Sequence, residues 1–350
     1  MKKLLDRIFI DGLTGMAHGL FATLIIGTII QQIGTYCGGN IGGLIFTLGK
    51  VAAGLTGAGI GAGVARKLDA GHLVIVSAAV VGMIGAFAGD VMSGDIVNDG
   101  SLVLSGPGEP LGAFVAAYIA IEIGILISGK TKLDIILTPL VCIGAGSVVG
   151  LLVGPPISGF MAWLGSLINW GTEQQPFVMG IVVSVLMGMI LTLPISSAAL
   201  GVILNLSGLA AGAATVGCCC NMIGFAVASF RENKFGGLLS QGIGTSMLQV
   251  PNIVRHPQIW IPAIVSSAVL GPVSTMIFHM TNNATGSGMG TAGLVGPLMT
   301  WQVMTQTEAE MIVLVKIILI QFILPAVVTL LISEFMRKKK WIRFGDMKLE

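Results

Sequence analysis

Charge is what this sequence has least of. Asp, Glu, Lys and Arg make up 10% of its 350 residues, against ~25% in a soluble domain. So few charges cannot clothe a water-facing surface. With 54% hydrophobic residues and a mean hydropathy of +0.93, the chain reads as a polytopic membrane protein. A net charge of +2 leaves no basic footprint for nucleic acid. Catalytic signatures are missing too: there is no Walker loop for ATP, no H-E-x-x-H and no nucleophile elbow. "GSGMG" at 286–290 has neither the spacing nor the strand–helix setting of a nucleotide loop. With no soluble stretch long enough for a nucleotide domain, primary active transport by this chain alone is excluded, and no cofactor is implied. Aromatic residues are only 6%. The five cysteines, Cys37, Cys142 and Cys218 to Cys220, show no paired spacing. Neighbours in the "CCC" run lie ~100° apart around a helix, so the run reads as small apolar filler and no metal site is expected.

Glycine, by contrast, occurs 51 times. In lipid the hydrophobic drive between helices is weak, and small residues let backbones approach. "GLTGAGIGAG" at 54–63 suits a tightly packed or locally irregular helix.

A span needs ~20 mainly apolar residues. Eight stretches qualify: 13–34, 41–65, 72–92, 110–128, 135–153, 177–194, 258–278 and 311–335. A basic set (Lys2, Lys3, Arg7; Arg66, Lys67; Lys130, Lys132; Arg231, Lys234; the tail "RKKKWIR") alternates with an acidic set (Asp90, Asp95, Asp99, Glu109; Glu173; Glu308, Glu310). Basic short loops stay in the cytoplasm, so both termini are expected inside. "MKKLLDR" is followed by no small-residue cleavage site and reads as the anchor of the first helix. Residues 155–170 begin and end outside, so they predict an interfacial or re-entrant helix. Residues 198–230 predict a two-pass hairpin or a re-entrant loop. The stretch 236–252 starts and finishes inside in the same way, and 280–305 either goes in and comes back or stays outside. The fold class expected is an all-α polytopic membrane protein of about 8–10 transmembrane helices plus re-entrant hairpins. It forms one integral membrane domain over 1–350, with a cytoplasmic N-terminus (1–12), a membrane region (13–335) and a basic cytoplasmic tail (336–350).

Polar residues inside the spans carry the functional question. Lys50 and Glu122 are intramembrane charges, read either as a structural ion pair or as transport residues. Lys316 is close enough to a helix end to snorkel, Arg231 and Glu232 read as a solvated turn, and His72 and His256 as loop-edge residues. His18 and His279 can hydrogen-bond a solute or act as proton sites, or simply pack. Asn221, Gln249, Asn252, Asn282 and Asn283 both donate and accept, which suits polyhydroxyl or amide ligands. The same chemistry satisfies the backbone of broken helices, and transporters place solute at such breaks. "HMTNNATGSGMG" at 279–290, with 218–221 and 241–252, is the expected solute site.

"SGKTKLDIILTPLVCIGAG" (128–146), the long run "LPISSAALGVILNLSGLAAGAATVGCCCNMIGFAVASFRENKFGGLLSQGIGTSMLQVPN" (193–252) and "WIPAIVSSAVLGPVSTMIFHMTNNATGSGMGTAGLVGP" (260–297) resemble the phosphotransferase-system enzyme IIC type-2-like family, which includes PfoR-like (toxin-regulator-like) members. The resemblance implies a homodimeric sugar permease of the bacterial cytoplasmic membrane, in which a transport domain with re-entrant hairpins carries solute past a scaffold. Such permeases phosphorylate cargo through EIIA and EIIB domains bearing a phospho-His and a phospho-Cys. This chain has no room for either, so both would be separate partners. "GPGEPLGAF" at 106–114 superficially resembles the superfamily's sugar-contacting Glu-Pro motif, which points to Glu109. Three readings stand: a sugar permease subunit, a non-phosphorylating transporter of an anion or carboxylate, and a membrane solute sensor. The scarcity of tryptophan around the expected site favours the anion reading.

Overall fold

The computed structural model describes residues 6–94, 96–98, 101–104 and 106–349; Lys2, Lys3, Asp95 and Asp99, used above to orient the chain, lie outside them. Two compact units divide the chain, Met1–Met161 and Ala162–Glu350. Helix dominates both, because a segment in hydrocarbon must satisfy its own backbone groups.

The first unit contains α1 (Arg7–Cys37), α2 (Gly39–Gly54), α3 (Thr56–Lys67), α4 (His72–Ala86), α5 (Pro110–Ile127) and the start of α6 (Asp134–Thr172). A two-residue hairpin, β1 (Val97–Asn98) with β2 (Ser101–Leu102), is the one sheet among the described residues. The second unit contains α7 (Pro176–Thr192), α8 (Ser197–Ile203), α9 (Gly208–Ala228), α10 (Phe230–Leu239), α11 (Pro257–Ile277), α12 (Ala284–Ser287), α13 (Val295–Met304) and α14 (Glu310–Lys338). Six of these, α1, α5, α6, α9, α11 and α14, are long and apolar enough to cross a membrane. The pair α2–α3, bent by 51°, makes a seventh broken span, and α4 and α7 are shorter apolar helices. The all-α polytopic architecture expected from the sequence is therefore observed.

Two of the irregular stretches fold otherwise than expected. Residues 155–170 form no separate re-entrant helix but continue α6, which runs unbroken for 39 residues. Pro139, Pro155 and Pro156 lie within it. A proline costs one backbone hydrogen bond, but its fixed φ is close to the helical value, so the helix can run on. Residues 198–230 form neither two full passes nor one simple loop: the short α8 precedes the 21-residue α9.

Glycine sets the helix spacing in both units. A Cβ on Gly15 of α1 would sit 2.6 Å from the Gly63 carbonyl oxygen of α3, and one on Gly57 of α3 would sit 2.6 Å from the Gly82 carbonyl oxygen of α4. The "GLTGAGIGAG" run is thus a contact surface on two sides. In the second unit a Cβ on Gly217 of α9 would fall onto the Ser184 carbonyl of α7.

Contacts along α7 and α9 rise together in number: Ser184 meets Gly217 and Thr192 meets Asn221, so the two helices are parallel. Parallel neighbours need a return path between them, and α8 with its flanking extended residues provides it. α11 is antiparallel to α7, since Ser267 meets Ser184 and Thr275 meets Pro176. After α11 the chain turns at His279 and runs back along α9. The Asn282 N–H donates to the Gly208 carbonyl, Thr215 donates to the Gly286 carbonyl, and Thr291 donates to the Gly242 carbonyl. α13 then returns, bringing Thr300 back to Asn282. Residues 280–304 thus form a hairpin packed along α9.

Candidate functional site

Three polar clusters lie inside the second unit, and the sequence-predicted amides are divided among them. The first surrounds Asn221, which is fully buried on α9. Its Oδ1 accepts from Thr192 at 3.1 Å and from the Trp260 indole N–H at 2.9 Å, while its Nδ2 donates to the Gly217 carbonyl at 3.1 Å and to Ser267 at 3.4 Å. Thr192 also meets Ser246 at 2.8 Å. Asn221 and Thr192 together thereby tie α7, α9, α11 and the 240–249 loop. Trp260 stands in the centre of this cluster, so the scarcity of tryptophan in the sequence does not extend to the site.

The second cluster is centred on Asn282, whose Nδ2 is shared among Thr215 (2.8 Å), Thr300 (3.0 Å) and the Gly296 carbonyl (3.2 Å). Gln321 of α14 donates to the same Thr300 at 2.8 Å. Asn283 caps α12, accepting from the Gly286 N–H at 2.9 Å. An N-cap of this kind satisfies a backbone donor that the helix itself cannot. His279, at φ 46°, is exposed at the turn that starts the hairpin.

The third cluster holds Gln249 and Asn252, together with Gln241. Gln249 donates to Gln241 at 2.8 Å, and Asn252 donates to Gln249 at 2.9 Å. Both also donate to the chain's own tail, Gln249 to the Met347 carbonyl and Asn252 to the Lys348 carbonyl, each at 2.9 Å. Asn233 adds a bond to the Met347 carbonyl at 2.8 Å and accepts from the Leu349 N–H. The basic tail folds back onto the second unit, with Met347 fully buried. Its peptide groups match an amide row that can donate and accept at every step.

The first unit carries the remaining predicted residues. Glu122 pairs with Arg7, Nε to Oε1 at 2.6 Å, and not with Lys50. Lys50 is exposed on α2, a helix that packs on the C-terminal part of α1 rather than on α5. Glu122 lies near the end of α5 that meets the start of α1, which brings Arg7 within reach. His18 lines a polar cleft of about 660 Å³ with Arg7, Asp11, Arg66, Lys67 and Asp69. Glu109 is the N-cap of α5, accepting from the Leu111 N–H at 3.3 Å, and burial pushes its carboxyl up to about 7.

Other charges also sit differently from the sequence reading. Glu232 is not solvated: its side chain is 1% exposed and pairs with Arg337 at 2.8 Å. Lys316 is held by Glu308 at 2.7 Å, and His256 lies 3.7 Å from Asp346.

One site feature was missed in the sequence. A cleft of about 440 Å³ opens beside the first residues of α7 and α9, lined by Asn169, Thr172, Gln174, Asn205 and Ser207. Its only signal was the turn "NLS" after α8, where Asn205 adopts a left-handed φ of 47°.

With this geometry in place, the family comparison is decisive. The model of the family "Phosphotransferase system, EIIC" matches residues 10–349. The chain belongs to that family, whose members are multi-pass membrane permease components of the sugar phosphotransferase system. None of the curated proteins compared with it matches.

Proposed function

We propose that this chain is the permease subunit for a neutral, hydroxyl-rich solute, moving it by alternating access through the re-entrant core of the second unit. The observation that carries the reading is the neutrality of that core. Where α7, α9, α11 and the two re-entrant segments meet, the polar side chains are Thr192, Ser184, Thr215, Asn221, Ser246, Ser267, Asn282 and Thr300. No Lys, Arg, Asp or Glu is among them. A carboxylate there would have only helix ends and neutral donors to offset its desolvation, whereas a carbohydrate exchanges hydroxyl for hydroxyl and amide. In this structure those groups satisfy one another, so solute entry means substituting its hydroxyls for internal hydrogen bonds. The neutral cleft of Asn169, Gln174 and Asn205 is the matching vestibule.

Phosphorylation, in this reading, is done by separate EIIA and EIIB proteins, with both termini and the basic loops in the cytoplasm by the positive-inside rule. The working unit is a homodimer in the bacterial cytoplasmic membrane.

A thermal-shift screen of the purified protein against neutral sugars and small carboxylates tests the reading. Stabilisation by one or more sugars, weakened about tenfold in apparent affinity by Asn205→Ala or Ser246→Ala, is expected from the loss of one or two hydrogen bonds to solute. Stabilisation by carboxylates alone would sink it.

A further inference from the structure

The strongest unassigned feature is a pair of adjoining clefts at the end of α14 in the second unit. One is cationic, about 440 Å³, and walled by Arg231, Arg337, Lys340 and Arg343, with Ile342 and Phe344. The other is a mainly apolar groove of about 380 Å³ between the ends of α9, α10 and α14, lined by Val227, Ala228, Phe230, Leu238 and Leu330 together with the ion-paired Arg231 and Glu334. Arg231 belongs to both. A charged pocket and an apolar groove meeting at one arginine have the polarity of a single amphiphile.

The charge balance is uneven in the same direction. Arg231 is paired with Glu334 at 3.0 Å and Arg337 with Glu232 at 2.8 Å. Asp346, the third nearby acid, takes the backbone N–H of Arg343 rather than its guanidinium. The side chains of Lys340 and Arg343 are exposed and make no ion pair among the described residues. Lys338 and Lys339 stand beside them. Around this cluster Phe335, Trp341 and Phe344 are exposed, at 55%, 58% and 76%. Aromatic side chains in such positions sit at the headgroup level of a bilayer, and α14 is the apolar span that ends there.

We propose that this bipartite cleft is a binding site for one anionic phospholipid. Lys340 and Arg343 take the headgroup phosphate, Arg231 marks the glycerol level, and an acyl chain lies in the Val227–Leu330 groove. Free phosphate shares the headgroup chemistry but leaves the groove unexplained.

The test uses the full-length protein, delipidated in a neutral detergent and titrated with phosphatidylglycerol or phosphatidylcholine of identical acyl chains, read by native mass spectrometry. One phosphatidylglycerol is expected to be retained about 25-fold more tightly than phosphatidylcholine, the effect of two uncompensated basic residues near a lipid surface. The double variant Lys340→Gln/Arg343→Gln changes exposed residues only and should abolish that preference. Leu330→Trp fills the groove without altering charge and should weaken retention of both lipids. Millimolar inorganic phosphate should leave the lipid adduct in place. Equal retention of the two lipids, a preference that survives the double variant, or unchanged retention in Leu330→Trp overturns the proposal. Displacement by inorganic phosphate overturns it in favour of a free-phosphate site.

Discussion

The two units are built from the same material and use it differently. In the first, glycine faces bring α1, α3 and α4 into backbone contact, and the buried polar side chains are the scattered hydroxyls Thr14, Thr56, Ser77 and Thr138. Its ionisable groups, Arg7 with Glu122 and the cleft of Asp11, His18, Arg66 and Asp69, are partly or fully exposed. In the second, glycine contacts again set the spacing, but the interior polarity is almost wholly amide and hydroxyl, threaded by short re-entrant pieces. The buried ion pair there, Arg337 with Glu232, lies at the end of the bundle and not in its middle. Neutral groups can be exchanged for a solute's hydroxyls at small cost, whereas separating a buried ion pair is expensive. The second unit therefore concentrates in its middle the exchangeable neutral groups that the proposed solute path requires, where the first has only scattered ones.

Removing charge should expose that asymmetry. Arg337→Met leaves Glu232 buried without its partner and is expected to lower stability by about 3 kcal/mol, read as a fall in thermal unfolding temperature. A loss no greater than that of a surface substitution would remove the second unit's buried pair from the comparison. Glu122→Gln breaks a pair whose side chains are about a third exposed (36% and 33%), so its cost should be about 1 kcal/mol or less. If Glu122→Gln abolished solute uptake while the protein stayed folded, the first unit would be more than a frame.

A pH dependence set by Glu109 should be comparable in size to the effect of Arg337→Met. Its carboxyl is held at about 7 by burial, above its ordinary 4.5. Between those values the unfolded chain ionises while the folded one stays protonated, so this group's contribution to stability falls as pH rises from about 4.5 to 7 and is level above. The protein should unfold at a higher temperature at pH 5 than at pH 8, and Glu109→Gln should reduce that gap. A gap unchanged in the variant would assign the pH dependence elsewhere.

Much of the fold was legible because lipid imposes simple rules. Apolar length located every candidate span except α9, which falls in a stretch read as irregular, and 280–305, read as going in and back or staying outside, folds as a hairpin along α9. Continuity was harder to read: Pro155-Pro156 looks like a break, yet each ring fits helical φ, and α6 runs through. The candidate site was legible as a set of residue types but not as a partition. Asn221, Gln249 and Asn282 have the same chemistry in sequence, and only the three-dimensional neighbours divide them. One joins helices, one holds the tail, and one clamps a hairpin. Pairing was equally out of reach, since Arg7 and Glu122 are 115 residues apart and Lys50 offered an equally good charge. Nothing in "RFGDMKLE" announces that Met347 will be buried; its peptide groups are held, and peptide groups leave no mark on a sequence.

The distribution of thiols has a practical consequence. Cys142 and the Cys218–Cys220 run are buried among packed helices, and Cys37, at the end of α1, is exposed. Cys37 is therefore the one cysteine whose thiol is not enclosed by the fold, and it lies in the first unit. A fluorophore placed there reports from that unit, and a second cysteine introduced at a chosen point of the re-entrant core would supply its distance partner.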